Sequence, residues 1–399
     1  MQHIEEFMDA FSKTGRYPLF RQIERYGTNP TVVIEGDEYI MFASNNYLSL
    51  CNNKNVIESA TNALNTNGLG PGGSRFLCGN IKILEELERE ISDFAGVEDT
   101  ITFPTGYMAN MAAISALVGT FIGDQPHKVN SAVVFSDKNN HMTLVDGIRI
   151  SKAKTVIYPH LDYEFLEREL IKHEESHPKL IVAESVYSMD GNVADINLIH
   201  KLAKKHNAML MIDDAHGIGI LGETGGGALE HFKLKNKVDL IMGSFDKALG
   251  GMGGYLGGSK KLIKYLRIAS RPYIFSSSIP AVMAGGLIES IKICRRDKKR
   301  RDRLMSNANY LRDKLKSLGF KILGNTKLPV LPILIGNDEK CKLYSEKLFE
   351  RKIFAPAVIW PAVPENLARL RVTLMHDHEK EQLDYFAESL VKIRKVIDK

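Results

Sequence analysis

Residues 238–258 read VDLIMGSFDKALGGMGGYLGG. An apolar run, Val238 to Met242, ends in small residues, and a single lysine, Lys247, then stands among glycines. A strand feeding such a turn places the lysine amine at the end of a sheet. The surrounding glycines let the backbone approach a ligand closely and leave room beside the amine for a flat cofactor. An amine so placed can form a Schiff base. Taken alone, the stretch also fits a surface lysine in a glycine-rich loop, so its partners must be sought along the chain.

Upstream, short apolar runs end repeatedly in polar residues. Ile101–Phe103 leads to PTGYMAN, Ala132–Phe135 to SDKNNHMTLVDG, Leu180–Ala183 to ESVYSMDG, and Met209–Ile212 to DDAHG; Thr155–Tyr158 precedes a helix around Leu166. Alternation of strands and helices predicts an α/β fold with a mainly parallel sheet between helices. Ligands of such sheets sit beyond the carboxyl ends of the strands, where Glu184, Ser188, Asp213, His216, Ser244 and Lys247 fall. Residues 2–13 read as an amphipathic helix, residues 32–42 as a hairpin turning at Gly36 and Asp37, and residues 56–65 as a helix. SNNYLSL, residues 44–50, is a turn that either aims side chains at a ligand or forms a plain Asx-turn. After Pro280 come two long helices, about 281–294 and 301–318. A smaller α+β unit follows, with strands near 330–334, 354–359 and 370–374 and a closing helix from about Glu379. The expected division is an N-terminal segment, 1–50, that packs on the small domain, a large domain, 51–290, and a small domain, 291–399.

Composition narrows the class. The chain has 399 residues, 44% of them hydrophobic and 25% charged, as expected of a soluble globular protein. No apolar run approaches the roughly 18 residues of a membrane span, and the start, MQHIEEFMDAFSK, lacks the features of a secretory signal; a cytoplasmic location is expected. Four separate cysteines, Cys51, Cys78, Cys294 and Cys341, show no metal or redox spacing. A net charge of +5 suits a small anionic ligand. The basic run 295–303, RRDKKRRDR, reads as a solvated helix face and not as a nucleic-acid patch. Gly68, Gly70 and Gly73, and again Gly217, Gly219 and Gly222, match a dinucleotide pattern, but neither set joins a strand to a helix, and both read as loops.

A lysine imine needs an electron sink, and pyridoxal 5'-phosphate supplies one when a carboxylate keeps its ring nitrogen protonated. Asp213 is placed for that task, with Asp214 as the competing choice. His216 and Ser188 can meet the 3'-oxygen, and His141 can stack on the ring. Thr105, Gly106 and Tyr107 offer a phosphate nest at a helix start, and Ser244 with Ser276–Ser278 supplies hydroxyls.

Across nearly its whole length the chain resembles the α-oxoamine synthases, fold-type I pyridoxal-phosphate enzymes that join a small amino acid to an acyl-CoA and release coenzyme A and carbon dioxide. The motifs are SNNYL, GLGPGGSRFLCGN, TGYMAN, ESVYSMDG, DDAHGIGILGETGGG, GSFDKALGGMGGYLGG, RPYIFSSSIP and WPAVPENLARLRVTL. The resemblance implies Lys247 as the Schiff-base residue and general base, Asp213 as the pyridine partner, His141 as the stacking residue, and His216 and Ser188 on the 3'-oxygen. Gly106, Tyr107 and Ser244 would bind phosphate, with Ser277 arriving from the second subunit of a homodimer. Arg371, assisted by Asn45, would hold the amino-acid carboxylate, since its fork pairs with two oxygens. Arg21, in GRYPLFRQIER (residues 15–25), would meet a carboxylate on the acyl chain or lie on the surface. Single motifs resemble different branches of the family, so glycine, serine and alanine all stand as the amino acid. An aminotransferase, or a non-catalytic protein on the same fold, is the alternative. Two positions depart from the pattern: Met142, where alanine usually follows the stacking histidine, is expected to crowd the ring face or reshape the acyl mouth, and Asp246 puts a carboxylate before Lys247 where a small residue is usual.

Overall fold

The computed structural model describes residues 1–13, 20–119, 132–173, 178–324 and 328–398, so residues 15–19 of the GRYPLFRQIER motif lie outside it. Thirteen strands are described: β1 Thr31–Ile34, β2 Asp37–Met41, β3 Asp99–Phe103, β4 Val133–Asp137, β5 Lys154–Tyr158, β6 Lys179–Glu184, β7 Met209–Asp213, β8 Leu240–Ser244, β9 Gly254–Gly258, β10 Val330–Gly336, β11 Ile353–Phe354, β12 Ala357–Val358 and β13 Ala368–Thr373. Seven form the central sheet in the order β3-β9-β8-β7-β6-β4-β5. The pairs from β8 through β5 are parallel, while β9 runs antiparallel to both β3 and β8. Both faces are covered. Val133, Phe135, Ile181, Ala183, Leu210 and Ile212 pack into one core cluster, while Val134, Leu180, Val182 and Met211 pack into the other. Alternate residues of each strand are therefore buried on opposite sides, which is why these strands read as continuous apolar runs.

Three readings of the sequence need correction. The glycine-rich tail after Lys247 is in part a strand, β9. Gly254 is required where helix Gly106–Val118 begins, since a Cβ on it would stand 2.6 Å from the Cα of Gly106. The apolar run 354–359 is two strands in two sheets. β11 pairs in parallel with β2, and β12 pairs with β13 in the sheet β10-β13-β12. The basic run 295–303 is broken where Asp297 caps helix Lys298–Ser317, and Arg301 within it is buried, donating to the carbonyls of Cys294 and Glu223.

The loop that follows Gly68 is pinned by a buried ion pair. Arg75 donates to both oxygens of Glu88 at 2.9 and 3.1 Å, with the side chains each 5% exposed. Glu88 in turn accepts from the backbone and hydroxyl of Thr102 on β3. A carboxylate so enclosed cannot be left unpaired. Arg75→Ala should therefore lower unfolding stability by about 3–5 kcal/mol, read as a shift in the urea midpoint.

His378 pins the chain ends together. Its Nδ1 accepts from the N–H of Met375 at 2.8 Å and its Nε2 donates to the carbonyl of Met41 at 3.0 Å. Burial pushes the imidazole down to about 4. Below pH 6.5 the unfolded chain takes up a proton that the folded histidine refuses, so this group removes about 3 kcal/mol of stability as pH falls from 6.5 to about 4. Urea unfolding of His378→Gln should show a shallower loss between pH 6.5 and 4 than the unaltered chain.

Candidate active site

The carboxyl ends of the central strands open into one cavity of about 560 Å³. β7 ends in Asp213, β6 in Glu184 and β8 in Ser244; His141 follows β4, and Thr105 follows β3. Glu184 and Asp213 are direct partners across the β6–β7 ladder, and Asp213 and Met242 across β7–β8. The sheet register thus holds these polar ends side by side.

Asp213 is buried and accepts from the side chain of Asn110 at 2.8 Å and from the N–H of Ala215 at 3.0 Å. Asp214, its rival in the sequence, turns away from the cavity and accepts from Ser185 and from the N–H of Ala228. Asn110 also donates to the Thr143 hydroxyl at 2.9 Å, and that hydroxyl lies 2.9 Å from Nδ1 of His141. The N–H of Thr143 points at the same nitrogen. Nδ1 is therefore an acceptor, and neutral His141 carries its proton on Nε2. Burial lowers the His141 pKa, with the charge of Asp213 pulling the other way.

His216 is enclosed, and burial together with the charge of Lys247 holds its pKa well below the usual histidine value. Its Nδ1 lies 2.8 Å from the Tyr47 hydroxyl. Burial pushes that hydroxyl up to about 12, so it stays protonated. Tyr47 reaches Asn45 at 3.2 Å, and Asn45 accepts from Arg371 at 3.2 Å, which links the arginine to the histidine. Arg371 also donates to the carbonyl of Ser188 at 3.0 Å. Two residues before it on β13, Arg369 pairs with Asp190 at 2.6 Å, so both arginines clasp the ESVYSMDG segment.

Lys247 Nζ lies in the cavity, 3.7 Å from Asp246. At the far end Thr105 caps helix Gly106–Val118, accepting from the N–H of Met108 at 3.1 Å. The N–H groups of Gly106 and Tyr107 have no acceptor within this helix, and both residues line the cavity. A Cβ on Gly106 would meet the Ser244 hydroxyl at 3.3 Å, so a backbone cradle and a hydroxyl stand together there. An amine, a buried carboxylate, a flat imidazole and a helix-start cradle fit the aldehyde, ring nitrogen, ring face and phosphate of pyridoxal 5'-phosphate.

Of the residues singled out in the sequence, Asn45, Gly106, Tyr107, His141, Ser188, Asp213, His216, Ser244, Lys247 and Arg371 all line this cavity. Arg21 does not; its guanidinium lies over the Phe349 ring at 3.4 Å. Ser277 is exposed and bridges to Ser74 outside the cavity. Met142 is exposed at a helix start and does not line the cavity, so it does not crowd the ring face. Glu184, placed on the strand rim from sequence without a role, lines the cavity as well, whereas Asn110, Thr143 and Tyr47 were not assigned to the site from sequence. Asn110 carried a signal, since it lies one helical turn after Gly106 and so shares its face.

The family described as aminotransferase class I and II matches residues 37–390. The chain is 38% identical to 8-amino-7-oxononanoate synthase of Thermoanaerobacter pseudethanolicus over 399 residues, which covers all of this chain and 98% of that one. It is 40% identical to the Petrotoga mobilis protein of the same name, with 99% and 98% covered. A serine palmitoyltransferase structure with a PLP internal aldimine superposes with a TM-score of 0.91 at 28% identity, over 100% of this chain and 98% of that one.

Asn110→Leu removes the side-chain donor to Asp213 while filling its space. Binding of pyridoxal phosphate to the purified variant should weaken roughly ten-fold, as expected for a lost hydrogen bond to a charged group, when followed by equilibrium dialysis.

Proposed function

The chain belongs to the class I and II aminotransferase family, within which it is a pyridoxal-phosphate-dependent acyltransferase of the α-oxoamine synthase group, and we propose that it joins glycine, alanine or serine to an acyl-CoA. The observation that carries this reading is the meeting of Lys247, Asp213, His141, His216 and Arg371 in one cavity. Alanine is favoured among the three. The product named for the curated relatives carries its amine beside a terminal methyl and its ketone on the next carbon. That is the pattern alanine leaves when its carboxyl is lost.

When bound, pyridoxal phosphate supplies the electron sink that stabilises a carbanion at the amino-acid Cα. The residues supply the rest. Lys247 is placed to hold the cofactor aldehyde and to take the Cα proton on Nζ. Asp213, fixed by Asn110, would hold the ring nitrogen and keep it protonated. His216 and Ser188, which line the cavity, would hold the 3'-oxygen. His141, with its proton on Nε2, would stack on the ring and could donate to the acyl carbonyl. The Arg371 fork and Asn45 hold the substrate carboxylate, which fixes which Cα bond is presented for reaction.

We further propose a homodimer in which Ser277 completes the phosphate site of the neighbour. Residues 1–50 and 291–399 are proposed as one unit set against residues 51–290, a reading supported by the pairing of β2 with β11. The alternative, an aminotransferase, would use the same lysine and arginine but need a keto-acid acceptor.

An absorbance spectrum of the purified protein, titrated with the three amino acids and then a panel of acyl-CoAs with thiol release followed, separates the readings. A visible band that responds to one amino acid, with free thiol on adding one thioester, is expected. Lys247→Ala should cut thiol release by roughly 10³-fold. A band without thioester consumption would favour the aminotransferase.

A further inference from the structure

The phosphate end of the cavity contains a carboxylate. Asp246 lines the cavity between Ser244 and Lys247. One of its oxygens accepts from the Ser244 hydroxyl and lies 3.7 Å from Lys247 Nζ, while about half of the side chain is exposed. Ser244 is the hydroxyl that stands against Gly106 at the start of helix Gly106–Val118. The carboxylate therefore occupies the donor that a phosphate would use. Among the described residues lining the cavity, the cationic side chains are Lys247 and Arg371, because His141 and His216 are held neutral. Arg371 donates to the Ser188 carbonyl and to Asn45, and among the described residues no ion pair joins it to Asp246. Only Lys247 faces Asp246 closely, and its charge disappears when its amine bonds an aldehyde without a proton.

We propose that Asp246 is an internal anion that competes with the cofactor phosphate for Ser244, so that this chain holds pyridoxal phosphate more weakly than its cradle otherwise allows. The inference rests on the cofactor reading above and concerns affinity, not chemistry. A phosphate bound to Ser244 would stand one hydroxyl away from the Asp246 carboxylate, and the two like charges would repel at a partly hydrated site. Asp246 is a positioning residue: it acts on the cofactor through Ser244. The weaker grip makes occupancy of the site depend on the surrounding cofactor concentration.

The test compares the unaltered chain with Asp246→Asn and Asp246→Ser after removal of cofactor. Binding of pyridoxal 5'-phosphate and of pyridoxal, which has the aldehyde and ring without the phosphate, is measured by equilibrium dialysis and by the visible band. Both variants should bind pyridoxal phosphate about ten-fold more tightly, with pyridoxal unchanged. Inorganic phosphate should raise the melting temperature of the variants more than that of the unaltered chain. Equal affinities for pyridoxal phosphate overturn the inference. Equal tightening toward both ligands also overturns it, by assigning the effect to the lysine amine. If pyridoxal phosphate gives no visible band in any chain, the cofactor reading itself fails, a result distinct from equal affinities.

Discussion

A carboxylate buried at the end of a central strand has to be answered by its surroundings. Asp213 lies at the carboxyl end of β7, with parallel strands on both sides, and its oxygens are satisfied by Asn110 and by the backbone of Ala215. The remaining demand is for a positive partner inside the cavity. A protonated pyridine ring bound there would supply it. Burial holds His141 and His216 below the usual imidazole value, and the charge of Lys247 pushes both the same way, so neither histidine answers the aspartate. Glu184 fits the same logic. Burial and the nearby Asp213 raise its pKa well above the usual carboxylate range, so it sits beside Asp213 without adding a second charge.

Much of this was legible in the sequence because the central strands are covered on both faces. Runs such as Met209–Ile212 have no amphipathic pattern to mislead, and the polar residue that ends each run has one place to go, the rim. Lys247, Asp213, His141 and His216 were found that way. Asn110, Thr143 and Tyr47 were not, because their importance lies in what they touch. Thr143 matters through Nδ1 of His141 and Tyr47 through Nδ1 of His216. Such pairings join residues far apart in the chain and leave no spacing to read. The same holds for Arg75 with Glu88 and Arg369 with Asp190.

Strand β9 shows the opposite failure. Its composition, GYLGG, reads as a loop by local preference, since glycine weakens strands. Packing overrides that preference: there is no room for a side chain where the strand runs under the start of helix Gly106–Val118. The apolar run 354–359 misled for a different reason. Its two halves serve different sheets, and Ala355 and Pro356 fill the step between them. Arg21, read as a candidate for an acyl carboxylate, is held instead by an aromatic face.

The pairing of β2 with β11 bears on the order in which the protein can be completed. Ile40 pairs with Ile353, the N–H of Phe42 donates to the carbonyl of Phe354, and the N–H of Thr373 donates to the carbonyl of Phe42. Synthesis runs from the N-terminus, and domains generally fold as units as they emerge. Here β2 leaves the ribosome long before β11 and must wait for it with an unpaired edge. The hairpin of β1 and β2 is thus the segment most in need of protection during synthesis, and truncation near the C-terminus would leave it without its third strand.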